Sequence, residues 1–151
     1  PARRGSGNQK GGNNMKAHSS KTWPARIAAG VAVAFGALTI LSGGRVLFGG
    51  AAAQGAAGDV VPFVLWFNFL SGFAYVLAGV GIAMGRRWAT LLALALVAGI
   101  ATVFTLFGLH VIQGGAFEMR TMGAMTLRLV VWILIATVAV RYAPTTQSTV
   151  G

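Results

Sequence analysis

The stretch VPFVLWFNFLSGFAYVLAGVGIAMGRRWA, residues 61–89, decides the fold. Residues 61–84 are apolar over a length that lets one helix cross a hydrocarbon core, which takes about 20 residues. The basic turn GRRW follows, and the apolar residues then resume. Because a short connection makes consecutive helices antiparallel neighbours, the stretch predicts two membrane-spanning helices that meet at a turn.

The same pattern predicts four spans, at roughly 27–49, 60–84, 88–112 and 119–142. The chain is 56% hydrophobic and only 9% charged, whereas a soluble domain is about 25% charged. We therefore expect an all-α protein, an integral membrane four-helix bundle. Its single domain covers residues 26–142 and lies between a tail at 1–25 and a short polar tail at 143–151.

Basic residues predict the orientation, because Lys and Arg near span ends stay on the cytoplasmic side. Nine of the twelve lie before the first span, in the GRRW turn or after the fourth span. We expect a multi-pass protein of the bacterial inner membrane with both termini cytoplasmic. The first apolar segment is too long for a cleavable signal peptide, and Met15 resembles a natural start, so residues 1–14 are interpreted as an upstream extension or a cloning remnant.

Two low-complexity segments flank the first span. The basic, Gly-rich tail at 1–25 buries too little apolar surface to order itself, and we expect it to contact anionic lipid or a partner on the cytoplasmic side. The Gly/Ala-rich segment 49–59 is predicted to be a flexible turn, with a close-packed lid as the alternative.

Small residues predict the packing faces of the spans, because they let helix backbones approach closely in a bilayer. They recur at helical spacing in the first three spans. The predicted packing residues are Ala28, Ala32 and Gly36 in span one, Gly72 and Gly79 in span two, and Gly99 in span three, where Ala95 and Thr102 flank it.

The stretch HVIQGGAFEMRTMGAMTLRLVVW, residues 110–132, concentrates unusual side chains where two spans meet the outer surface. Arg128 lies about 13 Å into span four at 1.5 Å per residue, and Asn68 lies at a similar depth in span two. With His110 they form a predicted outer pocket for an anion or polar headgroup. The alternatives are that Arg128 snorkels to the interface or pairs with Glu118 or Asp59.

Ion pairing is also predicted between Arg45 and Asp59, across the first outer loop.

A copper site is a further hypothesis for the same stretch. Met119, Met122 and Met125 recur every three residues, and thioethers with an imidazole, here His110, suit Cu(I). Methionines that merely fill apolar gaps are the alternative. A single pigment on His110 stays open, whereas bis-histidine haem does not, because His18 lies in the cytoplasmic tail. The chain has no cysteine, which excludes thiolate chemistry.

The layout resembles the small four-span bacterial membrane proteins of the DoxX-like type. The resemblance covers roughly residues 24–142 and rests on the short basic N-terminus, the Gly/Ala-rich spans and the pair Arg86 and Arg87. It implies a four-span fold and transfers no functional residue.

Catalytic patterns such as a carboxylate pair or a phosphate-binding glycine loop do not occur in the sequence. We therefore predict a non-catalytic accessory or structural subunit of a larger membrane complex, with a respiratory or photosynthetic host. The alternative is an independent carrier that binds a small molecule or copper in the outer pocket. Lipids and a larger complex are the expected partners, without nucleic acid and without a resident cofactor.

Overall fold

The computed structural model describes residues 13–142, with side chains from residue 23 onward. All regular secondary structure in that range is helical. The five helices are α1 (Asn13–Phe48), α2 (Gly50–Ala57), α3 (Pro62–Ala83), α4 (Arg87–Ile112) and α5 (Met119–Arg141). The predictions for residues 1–12 and 143–151 lie outside the described residues.

Four of these helices are long and apolar enough to cross a membrane. The candidate spans are Trp23–Phe48 within α1, then α3, α4 and α5, and they contain 26, 22, 26 and 23 residues. At 1.5 Å per residue each exceeds a hydrocarbon core of about 30 Å. The predicted all-helical class is confirmed, four helices have the length and composition of a multi-pass protein, and the candidate spans begin and end within a few residues of the predicted ones.

The first helix differs from the prediction at its start. α1 begins at Asn13, inside the segment that was expected to be a disordered tail, and it includes Pro24. Proline lacks a backbone N–H and interrupts the hydrogen bonds of a helix interior. The chain nevertheless continues as one helix from the polar segment into the membrane span.

The Gly/Ala-rich segment between the first two spans also differs from both predictions. Residues 50–57 form α2, and none of them is buried. Alanine has the highest helix propensity, which favours a helix in a segment with almost no side chains. α2 is therefore a short exposed helix, neither a flexible turn nor a close-packed lid.

Helices α1 and α3 make the closest backbone approach. A Cβ atom on Gly36 would lie 2.8 Å from the carbonyl oxygen of Gly72, and one on Gly79 would lie 2.9 Å from that of Ala29. No side chain fits at these positions. A large apolar cluster extends from this contact to α4 and α5, and its members include Ala32, Tyr75, Ala78, Ala89, Ala93, Trp132 and Ala139.

Helix α4 packs through a different face from the predicted one. Ala95 and Thr102 are exposed, and a Cβ on Gly99 would meet only Phe67, at 3.5 Å. The Thr102 hydroxyl donates to the Ala98 carbonyl in its own helix, so it needs no partner from another helix. The buried residues of α4 are Ala89, Ala93, Leu96, Ile100 and Phe107.

Candidate functional site

A cavity of about 420 Å³ lies among α1, α3 and α5, near the ends of these helices that adjoin α2. Its volume falls in the range of about 300–1,000 Å³ that is typical of ligand sites. The lining residues are Thr39, Ser42, Gly43 and Val46 from α1, Ala57 from α2, Val60, Val61, Val64, Leu65 and Asn68 from α3 and the segment before it, and Arg120, Thr121, Ala124 and Arg128 from α5.

Small residues from three helices line the cavity. Gly43 on α1, Ala57 on α2 and Ala124 on α5 contribute little or no side-chain volume. Thr39 and Ser42 also line the cavity, and their three-residue spacing keeps them on one face of α1. The Ser42 hydroxyl donates to the Thr39 carbonyl, so the wall there is polar and locally hydrogen-bonded.

Arg128 is the most unusual residue of the cavity, because it is a charged side chain only 8% exposed. It lies nine residues into α5, about 13 Å along the helix. Its Nη1 donates to Met125 Sδ at 3.7 Å, and its Cζ lies 5.9 Å from the centre of the Phe35 ring. Its Nε has no partner. A thioether is a weak acceptor, so the guanidinium keeps most of its donor capacity.

Other buried polar atoms near Arg128 also lack partners in the described part of the chain. They are Asn68 Oδ1, Tyr75 Oη and Trp132 Nε1. The Tyr75 and Trp132 rings lie 4.6 Å apart, centre to centre, and the Tyr75 and Phe35 rings 6.1 Å apart. Unpaired polar atoms in an apolar interior are costly, and these atoms lie in the same region as Arg128.

The charge of the cavity wall is positive. Arg120 and Arg128 line the cavity, and no lining residue is acidic. The two acidic residues, Asp59 and Glu118, lie next to each other outside the cavity. The Asp59 backbone N–H donates to Glu118 Oε1 at 3.2 Å. Arg128 contacts Met125 and Phe35. The predicted ion pair required a carboxylate, and none is among these contacts. Arg45 is exposed on α1 and outside the cavity.

His110 does not line the cavity. Asn68 and Arg128 both line the cavity. His110 lies near the end of α4, where its Nε2 is 3.3 Å from the Ala116 carbonyl oxygen. The lining residues that sequence reasoning missed include Thr39, Ser42 and Arg120. Only the helical spacing of Thr39 and Ser42 could have indicated the first two.

The three methionines have different surroundings. Met119 is 68% exposed, Met122 is half-buried, and Met125 is fully buried with its sulfur against Arg128. A guanidinium beside Met125 opposes the binding of another cation there. No three His, Asp or Glu side chains of residues 23–142 lie close enough together to hold a metal ion. The copper and pigment sites remain predictions.

No family model, curated protein or solved structure matches this chain. The DoxX-like layout therefore remains a prediction. The fold defines the class, a helical protein with four candidate membrane spans, and any function has to be argued from the cavity itself.

Proposed function

We propose that this chain is a four-helix bundle of the bacterial inner membrane, with both termini cytoplasmic, that binds an anion in the cavity around Arg128. The observation that carries the proposal is a buried arginine that lines a cavity of about 420 Å³ and has no acidic partner. In this orientation the cavity lies in the outer half of the membrane.

The energetics of a buried arginine favour this proposal. An arginine at the centre of a membrane helix costs about 2.5–3.5 kcal/mol on insertion scales. An anion offsets that cost, because guanidinium binds carboxylate or phosphate through two parallel hydrogen bonds. Thr39 and Thr121 place hydroxyl groups on the lining of the same cavity, and a hydroxyl can donate to the remaining oxygens of the anion.

Binding, rather than catalysis, is the proposed role of this cavity. Its lining contains hydroxyls, one amide and two guanidinium groups. General base catalysis needs a group that accepts a proton near neutral pH, such as a histidine or carboxylate, and neither side chain is among the lining residues. A carrier or receptor for an anion fits this set of groups.

The test uses purified protein in nanodiscs of zwitterionic lipid, titrated separately with hexanoate and with inorganic phosphate. Hydrogen bonds to charged groups contribute about 1.5–3 kcal/mol, so Arg128→Gln should weaken binding about 10- to 100-fold. Arg45→Gln is the matched control, because Arg45 is exposed and outside the cavity.

Arg128→Lys separates charge from geometry. Lysine keeps the charge but not the planar pair of donors, so intermediate affinity is expected. Equal affinity of the wild type and a folded Arg128→Gln variant for both anions would overturn the proposal, as would wild-type protein that binds neither.

A second candidate function is the accessory subunit, and a cluster of exposed aromatic rings favours it. Phe48, Trp66, Phe69 and Phe73 make edge-to-face contacts along α1 and α3. Phe48 is 70% exposed, and Phe73 is 52% exposed. Aromatic residues are enriched in protein interfaces, so this surface suits a helix of a respiratory or photosynthetic host complex.

Co-purification in mild detergent tests the second candidate. We expect one large partner in fixed stoichiometry, and we expect Trp66→Leu with Phe73→Leu to release it. Leu77→Ala is the control, because Leu77 is exposed on α3 but makes none of these ring contacts. Recovery of a stand-alone protein in every mild detergent would contradict this candidate.

A further inference from the structure

A second hollow lies between α1 and α5, farther from α2 than the cavity. Its volume is about 340 Å³. It is lined by Trp23, Pro24, Ile27, Ala28 and Val31 from α1 and by Val131, Leu134, Ile135 and Val138 from α5. We call it the apolar groove, because all nine of these side chains are apolar.

The cavity and the apolar groove follow the same pair of helix faces. On α5, Ala124 and Arg128 line the cavity, and Val131 and Ile135 line the groove. Their alternating spacing of four and three residues keeps them on one face of the helix. The two hollows are therefore successive parts of one seam.

Phe35 and Arg128 lie where the two hollows meet. On α1, Val31 lines the groove and Thr39 lines the cavity, and Phe35 comes one turn from each. The ring of Phe35 is half-buried and lies 5.9 Å from the guanidinium carbon of Arg128. A molecule that bound to Arg128 and extended past Phe35 would enter the groove.

We propose that the anion is the carboxylate of a medium-chain fatty acid, whose head binds Arg128 and whose chain occupies the apolar groove. The inference rests on the proposed anion binding at Arg128. Charge complementarity defines one end of the ligand, and the apolar lining defines the other. Val138 lies ten residues beyond Arg128, about 15 Å along α5, which gives the groove the length of an alkyl chain.

Depth favours a single-chain carboxylate over a phospholipid. Arg128 lies about 13 Å below the start of α5, which is close to the middle of a hydrocarbon core of about 30 Å. A phospholipid keeps its large polar headgroup at the interface, whereas a carboxylate is small enough for the cavity when the guanidinium neutralises it. Val31 and Leu134 are 44% and 61% exposed, so the groove is open to the membrane.

The test is photo-crosslinking with a dodecanoate that carries a diazirine at the end of its chain, added to the protein in zwitterionic nanodiscs. We expect the label on the groove residues of α1 and α5, and about a tenfold or greater loss of that label in Arg128→Gln. Val31→Trp fills the groove and should also remove the label. Leu38→Trp is its control, because Leu38 is exposed on α1 and lines neither hollow.

Hexanoate binding distinguishes failure of this inference from failure of the proposed function. Hexanoate should bind wild-type and Val31→Trp protein equally, because its short chain does not reach far into the groove. If hexanoate binding depends on Arg128 while the label spreads over all exposed helix faces, the groove is not the chain site and the anion site stands. A two-chain phospholipid that occupies the seam of the native protein would also overturn the inference. If neither ligand depends on Arg128, both proposals fail.

Discussion

The two halves of this helical protein use their residues differently. The half near the Arg86 turn, the close-packed half, fills its centre with small residues such as Ala78, Ala93 and Ala139, and the apolar groove lies open on its surface. The half near α2, the cavity half, has a smaller apolar cluster around Phe107 and Met125, and it contains the cavity. The contrast indicates that close packing holds the helices together at one end, which leaves the other end able to accommodate a buried charge.

The largest expected effect comes from a bulky side chain in the contact between α1 and α3. Gly79→Leu should lower the free energy of unfolding by about 3 kcal/mol or more. The reason is that even a Cβ there would lie 2.8 Å from Val33 Cγ2 and 2.9 Å from the Ala29 carbonyl oxygen. Thermal unfolding in detergent measures the change.

Gly30→Leu is the matched control for that substitution. No atom lies within 4 Å of a Cβ placed on Gly30, and glycine costs about 0.5–1 kcal/mol in a helix interior. A small gain in stability is therefore expected. Equal losses in the two variants would show that close packing does not distinguish this half.

The next effect has the opposite sign and concerns the cavity half. Arg128→Met should raise the free energy of unfolding by about 2–3 kcal/mol while anion binding is lost, because it removes a buried charge that has no acidic partner and is costly in a membrane. Thermal unfolding without ligand is the measurement. A large loss of stability in this variant would mean that Arg128 has a structural role rather than a ligand-binding one.

A smaller effect is expected where α2 joins the cavity half. Gly58 ends α2 with φ of 73° and ψ of −149°, a conformation that costs an ordinary residue about 1–3 kcal/mol. A Cβ at this position would collide with the Glu118 carboxylate, which accepts the Asp59 N–H. Gly58→Ala should therefore speed hydrogen exchange in α2 and leave exchange in α4 unchanged. Uniform exchange changes along the chain would contradict this local role.

The smallest effect is expected from Met125→Leu. The substitution keeps the volume of the side chain and removes the sulfur that accepts from Arg128, so stability should change by less than about 1 kcal/mol. Hexanoate affinity should change far less than in Arg128→Gln. A loss of affinity as large as that of Arg128→Gln would mean that the sulfur itself contributes to the site.

Sequence patterns predicted the spans well, because hydropathy is a local property of each segment. The packing glycines of α1 and α3 also follow from a local pattern, since small residues at four-residue spacing permit close approach. The neighbouring helices determine which face of α4 is buried. Nothing in the local sequence around Ala95 and Thr102 indicates that these residues are exposed. The helical start of α1 likewise continues through a polar segment that composition alone assigns to a tail.

The cavity was only partly accessible to sequence reasoning. Residue counting along two spans placed Asn68 and Arg128 at similar depth, and both line the same cavity in the structure. His110 was included in the predicted outer pocket because it lies on the same side of the membrane. The depth of a residue does not determine which way its side chain points. Gly43, Ala57 and Ala124 add little or no side-chain volume to the cavity lining, and only the packing of the helices shows that they lie around one space.

The most direct measurement of the central claim is a solid-state NMR distance between ligand and guanidinium in lipid bilayers. The protein would carry ¹⁵N in its arginine guanidinium groups, and hexanoate would carry ¹³C in its carboxylate. The account predicts a ¹⁵N–¹³C dipolar coupling that disappears in Arg128→Lys and persists in Arg45→Lys. The coupling arises from a hydrogen-bonded contact whose N···O distances are about 2.7–2.9 Å. A contact that survives Arg128→Lys, or saturating ligand without any guanidinium contact, would contradict it.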